Sequence, residues 1–202
     1  MAYDIALNKA KEDFKGISPY VAASKSGTDF SEGKFRVKFF NRTFLVSHPE
    51  AEVEEEGSEK EPPQELKVLI LHYITQADGT PVADKWITYR YLPGAEVSSD
   101  FQTRFMNLTI NPLLRAFGND IEGFKRGAIA LGGETMNRTG DAAFRFMAFP
   151  KIPLACVLYL GDEEVQPSVS VLFDAAAPSY LPTEDLGWMA TYFNTMQRYK
   201  TK

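Results

Sequence analysis

An α+β fold in a single domain over residues 1–202, a mainly antiparallel sheet with helices packed on it, is what this sequence predicts. Three observations carry the prediction. Alternating and continuous apolar runs cluster in the last third, joined by connections short enough for antiparallel pairing. Amphipathic helical patterns stand near both ends. Between them, helices and strands follow in an irregular order that a doubly wound parallel sheet does not have. Composition agrees, with 44% hydrophobic, 13% aromatic and 24% charged residues supplying an ordinary globular core.

Tyr3, Leu7, Ala10 and Phe14 recur at helical spacing among Lys9, Lys11, Glu12 and Asp13, so an amphipathic helix opens the chain, ended by Gly16 and Pro19. Phe35, Val37 and Phe39 alternate with Lys34, Arg36 and Lys38, the pattern of a half-buried strand with a basic outer face. Asn41-Arg42 suits a two-residue turn, because Asn tolerates positive φ, and residues 43–46 return as the partner strand. Residues 48–64 are rich in Glu and Pro and are expected to form a mobile acidic loop that buries no apolar surface. Of the net charge of −5, residues 50–65 hold eight Glu against Lys60, a local −7, while the remaining 19 acidic and 21 basic residues give +2. Neutralisation by the basic strand face is the expectation for this loop, and a basic partner is the alternative. Residues 66–74 are apolar on nearly every side and read as a buried helix, with a buried strand as the alternative. Asp78-Gly79 marks a turn, and residues 86–91 read as a strand stopped by Pro93-Gly94.

Ser98, Ser99 or Asp100 can cap a helix with Phe101, Phe105 and Leu108 inward, and Asn111-Pro112 predicts a second helix start. After Gly118, Asn119 or Asp120 opens another helix with Ile121, Phe124, Ala128 and Leu131 inward and Gly132-Gly133 as its stop. Residues 142–149, 154–160 and 168–173 predict an antiparallel meander, whose middle strand is apolar on both faces and therefore central. Thr183 is the expected cap of the last helix, with Glu184 and Asp185 in the first turn, where the helix dipole favours acids. Leu186, Met189, Phe193 and Met196 form its buried stripe; Trp188, Tyr192 and Tyr199 form a second one that suits core packing, a ligand pocket or a dimer interface.

The near-neutral body carries no basic footprint for nucleic acid and no polybasic membrane patch. The first residues are charged and lack the apolar stretch of a signal peptide, so a cytoplasmic location is expected. The single Cys156 excludes an intrachain disulfide and a cysteine-built cluster, and its predicted place in a buried strand makes it inert. No P-loop, GxGxxG, nucleophile elbow or HExxH is present, and no catalytic residue, metal ligand set or cofactor follows from the sequence. Ligand-binding candidates remain. A hairpin of 142–149 with 154–160 places Asp141 beside Asp162, Glu163 and Glu164, where crowded carboxylates raise one another's pKa or recruit a hard cation. The simpler reading is that these acids bond turn amides. His72 is expected beside Val68 and Leu69 on a buried helix, as a hydrogen-bonded core residue; His48 is expected to be solvated. Arg90 suits an ion pair or an anionic ligand, and Asp174 suits a turn cap or a pocket wall.

A family resemblance runs through residues 69–74, Trp86-Ile87-Thr88-Tyr89-Arg90 with Leu92-Pro93-Gly94, Gly140-Asp141-Ala142, 149–154, Gly161-Asp162-Glu163-Glu164, Leu172-Phe173-Asp174 and 180–186. In their order and spacing these resemble the DUF3786 family. Relatives carry a phenylalanine and proline after the acidic turn, where this chain has Val165-Gln166-Pro167. The resemblance implies kinship with domains of anaerobic bacteria and archaea, some fused to iron–sulfur modules of the corrinoid-protein type, a module this chain lacks. It implies no catalytic residue. The leading functional expectation is a non-catalytic accessory domain that holds a small ligand or a protein partner. The alternatives are a carboxylate-based enzyme with an optional divalent metal and a structural homodimerisation module.

Overall fold

The computed structural model describes residues 2–95, 99–137 and 139–200, with side chains from Asp4 onward and without that of Ser99. Ser98 as a cap and the inward side chain of Tyr3 lie outside the described residues. The fold is α+β, with two antiparallel sheets.

Helix α1 (Ala2–Lys15) buries Ala10 and Phe14 as its spacing predicts. Pro19 does not merely end it: Pro19 opens a further helix, α2 (Pro19–Ser26), at the first-turn position where its missing N–H costs nothing. The first sheet runs in the order β1 (Asp29–Ser31), β2 (Lys34–Phe39), β3 (Arg42–Ser47), β4 (Val53–Glu55). In β2, Phe35, Val37 and Phe39 are buried and the three basic residues exposed, as their alternation requires. Phe39 pairs with Arg42, so the turn is Phe40-Asn41 rather than Asn41-Arg42, and Phe40 takes the positive φ of 51°. The Phe40 ring offsets that conformational cost by packing on Phe146, Tyr192 and Phe193.

The acidic excursion is not free of buried apolar surface. Ala51 and Val53 are in the core, and Val53–Glu55 adds a strand to β3. Its glutamates fall on the basic side chains of β2, β3 and the helices, with Lys11–Glu52 at 2.8 Å, Lys34–Glu54 at 3.8 Å, Arg36–Glu56 at 2.6 Å, and the further pairs Arg42–Glu55 and Lys67–Glu61. His48 is not solvated: its ring lies edge-on against Phe14 at 5.4 Å and Phe30 at 6.3 Å.

Helix α3 (Gln64–Gln76) buries Leu66 through Leu71, Tyr73 and Ile74, which settles the choice between helix and strand for that run. The second sheet has the order β5 (Trp86–Thr88), β9 (Ser168–Asp174), β8 (Ile152–Tyr159), β7 (Ala142–Phe149), β6 (Glu134–Thr135). The predicted strand at 86–91 is half that length, because residues 89–91 coil into a 3-10 turn. Central β8 is buried on both faces from Ile152 to Leu158, as its unbroken apolar run requires. The two sheets meet where the Phe40 N–H donates to the Ala148 carbonyl at 2.9 Å and Phe39 packs on Phe149 at 5.0 Å.

Asn111-Pro112 opens a helix with Pro112 in its first turn as expected, but no break precedes it and Asn111 is not its cap. Helix α4 (Ser99–Phe105), a π-turn at Met106–Ile110 and α5 (Asn111–Phe117) run on without a break, and Leu108 of the π-turn is half exposed rather than inward. Pro112 has no N–H for the carbonyl four residues earlier, and its ring crowds that carbonyl. The wider π-turn relieves the clash, and the Leu108 carbonyl accepts instead from the Asn194 Nδ2 at 2.8 Å. Helix α6 (Ile121–Ala130) is capped by Asp120, whose Oδ1 accepts from the Gly123 N–H at 2.8 Å. Helix α7 (Thr183–Ala190) continues into a 3-10 segment to Tyr199 and buries Leu186, Met189, Phe193 and Met196. The Thr183 hydroxyl does not cap α7 but donates to the Pro93 carbonyl at 2.6 Å. Among the described residues no helix is long and apolar enough to cross a membrane.

Candidate functional site

Three helices and the π-turn enclose a cleft of about 250 Å³. Each helix contributes residues three or four apart, the spacing that puts side chains on one face. Val68, Leu69 and His72 come from α3; Phe101, Arg104 and Phe105 from α4; Glu184, Asp185, Gly187 and Trp188 from α7. Thr109 comes from the π-turn, and Tyr89 from the 3-10 turn after β5. Glu65 and Thr191 complete the lining together with Ala6 and Leu108.

The walls are aromatic. Tyr89 stacks on Phe105 with ring centres 4.2 Å apart and planes 3° from parallel. Gly187 makes that placement possible, since a Cβ there would stand 3.0 Å from the Tyr89 ring and hydroxyl. Burial raises the pKa of the Tyr89 phenol.

The polar end is a pair. His72 Nδ1 lies 2.6 Å from Asp185 Oδ2 and links α3 to α7. A carboxylate only accepts, so Nδ1 carries the proton and Nε2 is left for another group. Both side chains are partly accessible, at 26% for His72 and 19% for Asp185. At the rim, Arg104 stands 3.7 Å from Glu184, with both side chains mostly in solvent. Deeper in, Thr109 is fully buried, and among the described residues its hydroxyl has no hydrogen-bond partner.

Of the residues singled out from sequence, His72 is in this cleft and beside Val68 and Leu69 as expected, but hydrogen-bonded at its edge rather than within the core. The others sit elsewhere. Asp141 is at the end of the sheet, where its Oδ2 accepts from the Leu160 N–H at 2.7 Å. Asp162 follows on that side, and its Oδ1 accepts from the N–H groups of Glu164 and Val165 at 2.9 and 2.8 Å. Those two bonds hold its carboxyl below the usual carboxylate range, opposite to the rise expected of crowded acids. Glu163 is exposed, and among the described residues no three His, Cys, Asp or Glu side chains group to hold a metal ion. Arg90 is exposed in the 3-10 turn. Asp174 is fully buried at the end of β9; its Oδ1 accepts from the Ala83 N–H at 3.0 Å and the Ala176 N–H at 2.9 Å, while Oδ2 has no partner among the described residues. In the aromatic stripe only Trp188 reaches the cleft; Tyr192 packs on Phe39 and Phe40 instead.

Sequence reasoning missed Asp185 as a partner of His72, and it singled out neither Tyr89 nor Thr109 as a site residue. The pairing of His72 with Asp185 spans 113 residues and leaves no local signal. Asn111-Pro112 after an uninterrupted helical pattern is the one signal that could have pointed to the π-turn.

A second, shallower hollow lies along the acidic strand, bounded by Glu52, Glu54 and Lys67 among others. The ion pairs described above already engage the carboxylates of Glu52 and Glu54 and the ammonium of Lys67.

Residues 18–196 match the model of a family described as Domain of unknown function (DUF3786). Neither a curated protein nor a solved structure matches the chain.

Proposed function

The chain belongs to the DUF3786 family, and we propose that this member is a binding domain whose α3–α4–α7 cleft holds a small, largely apolar ligand. One observation carries the reading: the hydroxyl of Thr109, a fully buried residue of the cleft lining, has no hydrogen-bond partner among the described residues. An unsatisfied buried hydroxyl costs roughly 1–3 kcal/mol, and a ligand that bonds it removes that cost. The volume of about 250 Å³ falls just below the roughly 300–1,000 Å³ of drug-sized sites. It suits a one- or two-ring molecule and is too small for a whole tetrapyrrole macrocycle.

The test is a magnetic-resonance screen of one- and two-ring fragments, with corrinoids, haem and nucleotides added as larger members. Binding fragments should shift the indole N–H signal of Trp188, which lines the cleft, and leave that of Trp86 in β5 unchanged. A screen in which no compound moves Trp188 would defeat the proposal.

A second reading is favoured by the His72–Asp185 hydrogen bond. A carboxylate on Nδ1 orients an imidazole so that Nε2 can take a proton, the arrangement of a general base. An enzyme of that kind would lose turnover in His72→Gln while still binding its ligand. Equal loss of binding and turnover would instead assign His72 to ligand recognition.

A further inference from the structure

We infer that the ligand of this cleft is an organic cation: an ammonium group on an aromatic or alkyl body of one or two rings. The inference rests on the binding reading above and names the chemistry of the occupant.

Charge comes first. The ionisable groups facing the cleft are Glu65, Glu184 and Asp185, against Arg104 alone as a fixed cation, with His72 and Tyr89 between them. Arg104 already stands 3.7 Å from Glu184, and Asp185 is engaged through one oxygen by His72. The surplus is negative. An anionic ligand would enter against Glu65 and Asp185 with no unengaged cation among the described lining residues to meet it, whereas an ammonium could bond Glu65 and the second oxygen of Asp185.

Acceptors point the same way. In the tautomer that donates Nδ1–H to Asp185, the ring lone pair of His72 is on Nε2. The buried Thr109 hydroxyl has no hydrogen-bond partner among the described residues, so its oxygen can accept. Walls add to this, because an ammonium over an aromatic face is attracted by the ring quadrupole, most strongly by Trp and Tyr, and Trp188 and Tyr89 both line the cleft. A neutral ring would use the same walls but bring no positive charge to Glu65 and to the second oxygen of Asp185.

Three probes of one shape decide it: 2-phenylethylamine, 2-phenylethanol and 3-phenylpropanoate, titrated at pH 7.5 against the full chain with the Trp188 indole as reporter. The amine should bind about tenfold more tightly than the alcohol, and the carboxylate most weakly. Glu184→Gln, at the exposed rim where folding is not at stake, should narrow the amine–alcohol gap by severalfold. Asp185→Asn should narrow it further, and Arg104→Gln should widen it. Alcohol or carboxylate binding as tightly as the amine would overturn the cation assignment and leave the binding reading intact. An amine preference untouched by Glu184→Gln and Asp185→Asn would overturn it as well. Absence of any Trp188 response to all three would overturn both.

Discussion

The position of α3 decides the cleft, and Tyr73, next to His72, fixes that helix to the rest of the fold. Its hydroxyl donates to the Ser26 carbonyl at the end of α2 and accepts from the Lys151 N–H at 3.1 Å in the β7–β8 turn. Its ring stacks on Phe149 at 4.1 Å with planes 10° apart. Tyr73→Phe keeps the stack and removes only the oxygen. Two backbone groups then lose their partner. Ser26 is fully buried, so its carbonyl bears the full penalty of roughly 1–3 kcal/mol, whereas Lys151 is half-buried and water restores part of its bond. The expected loss is about 2–3 kcal/mol, a fall in Tm of about 6 °C for a chain of this size. Tyr180→Phe is the matched control. Its hydroxyl serves one acceptor, the carbonyl of half-exposed Thr80, so the loss there should stay below about 1 kcal/mol. Urea titration and calorimetry of the two variants measure both numbers. Equal losses, or a Tyr73→Phe loss below about 0.5 kcal/mol, would refute the claim that this hydroxyl clamps three segments together.

Three further outcomes follow from the packing and electrostatics. Gly127→Ala should destabilise by about 1–2 kcal/mol, because a Cβ there would stand 2.8 Å from the Met196 carbonyl oxygen, and that backbone clash outweighs the roughly 1 kcal/mol of helix propensity gained; urea midpoints read it. Glu55 has its pKa lowered by the hydrogen bonds of Arg42, so its contribution is complete above its unfolded value near 4.5 and is lost as pH falls through the lower folded value. Glu55→Gln should therefore be less stable than the native chain at pH 7, with the gap closing toward pH 3. The thiol of Cys156, buried in β8 and pushed well above the usual thiol range by that burial, should resist iodoacetamide at pH 8 until urea unfolds the chain, which mass spectrometry follows.

Local chemistry made the strands legible. The alternation of Phe35, Val37 and Phe39 and the unbroken apolar run through Leu154–Leu158 each translate directly into a burial pattern, and the structure keeps both. The glutamates of 50–65 were likewise legible as partners of basic residues, since opposite charges on neighbouring strands meet. Their backbone was not: Val53 is one apolar residue among acids, and only pairing with Val46 makes it a strand. The turn at Phe40-Asn41 slipped by one residue because aromatic packing of Phe40 outweighs the preference of Asn for positive φ. Asn111-Pro112 was legible as a helix start because Pro favours the first turn, but the π-turn that joins α4 to it without a break, and the Asn194 bond, were not. The cleft was the least legible feature. Its chemistry joins His72 to Asp185 and Tyr89 to Phe105, partners that only the assembled fold brings together. The acidic turn after Gly161 was conspicuous in sequence, yet the carboxylate of Asp162 is occupied with the turn's own amides.

The central claim is that the cleft is built for an occupant, and Thr109→Val tests it most directly. The substitution exchanges the unpartnered hydroxyl for a methyl group of nearly the same shape. If the hydroxyl awaits a ligand, Thr109→Val should raise the stability of the empty protein by about 1 kcal/mol and weaken binding of any compound that shifts the Trp188 signal, by about tenfold. Loss of stability, or ligand affinity unchanged from the native chain, would contradict the account.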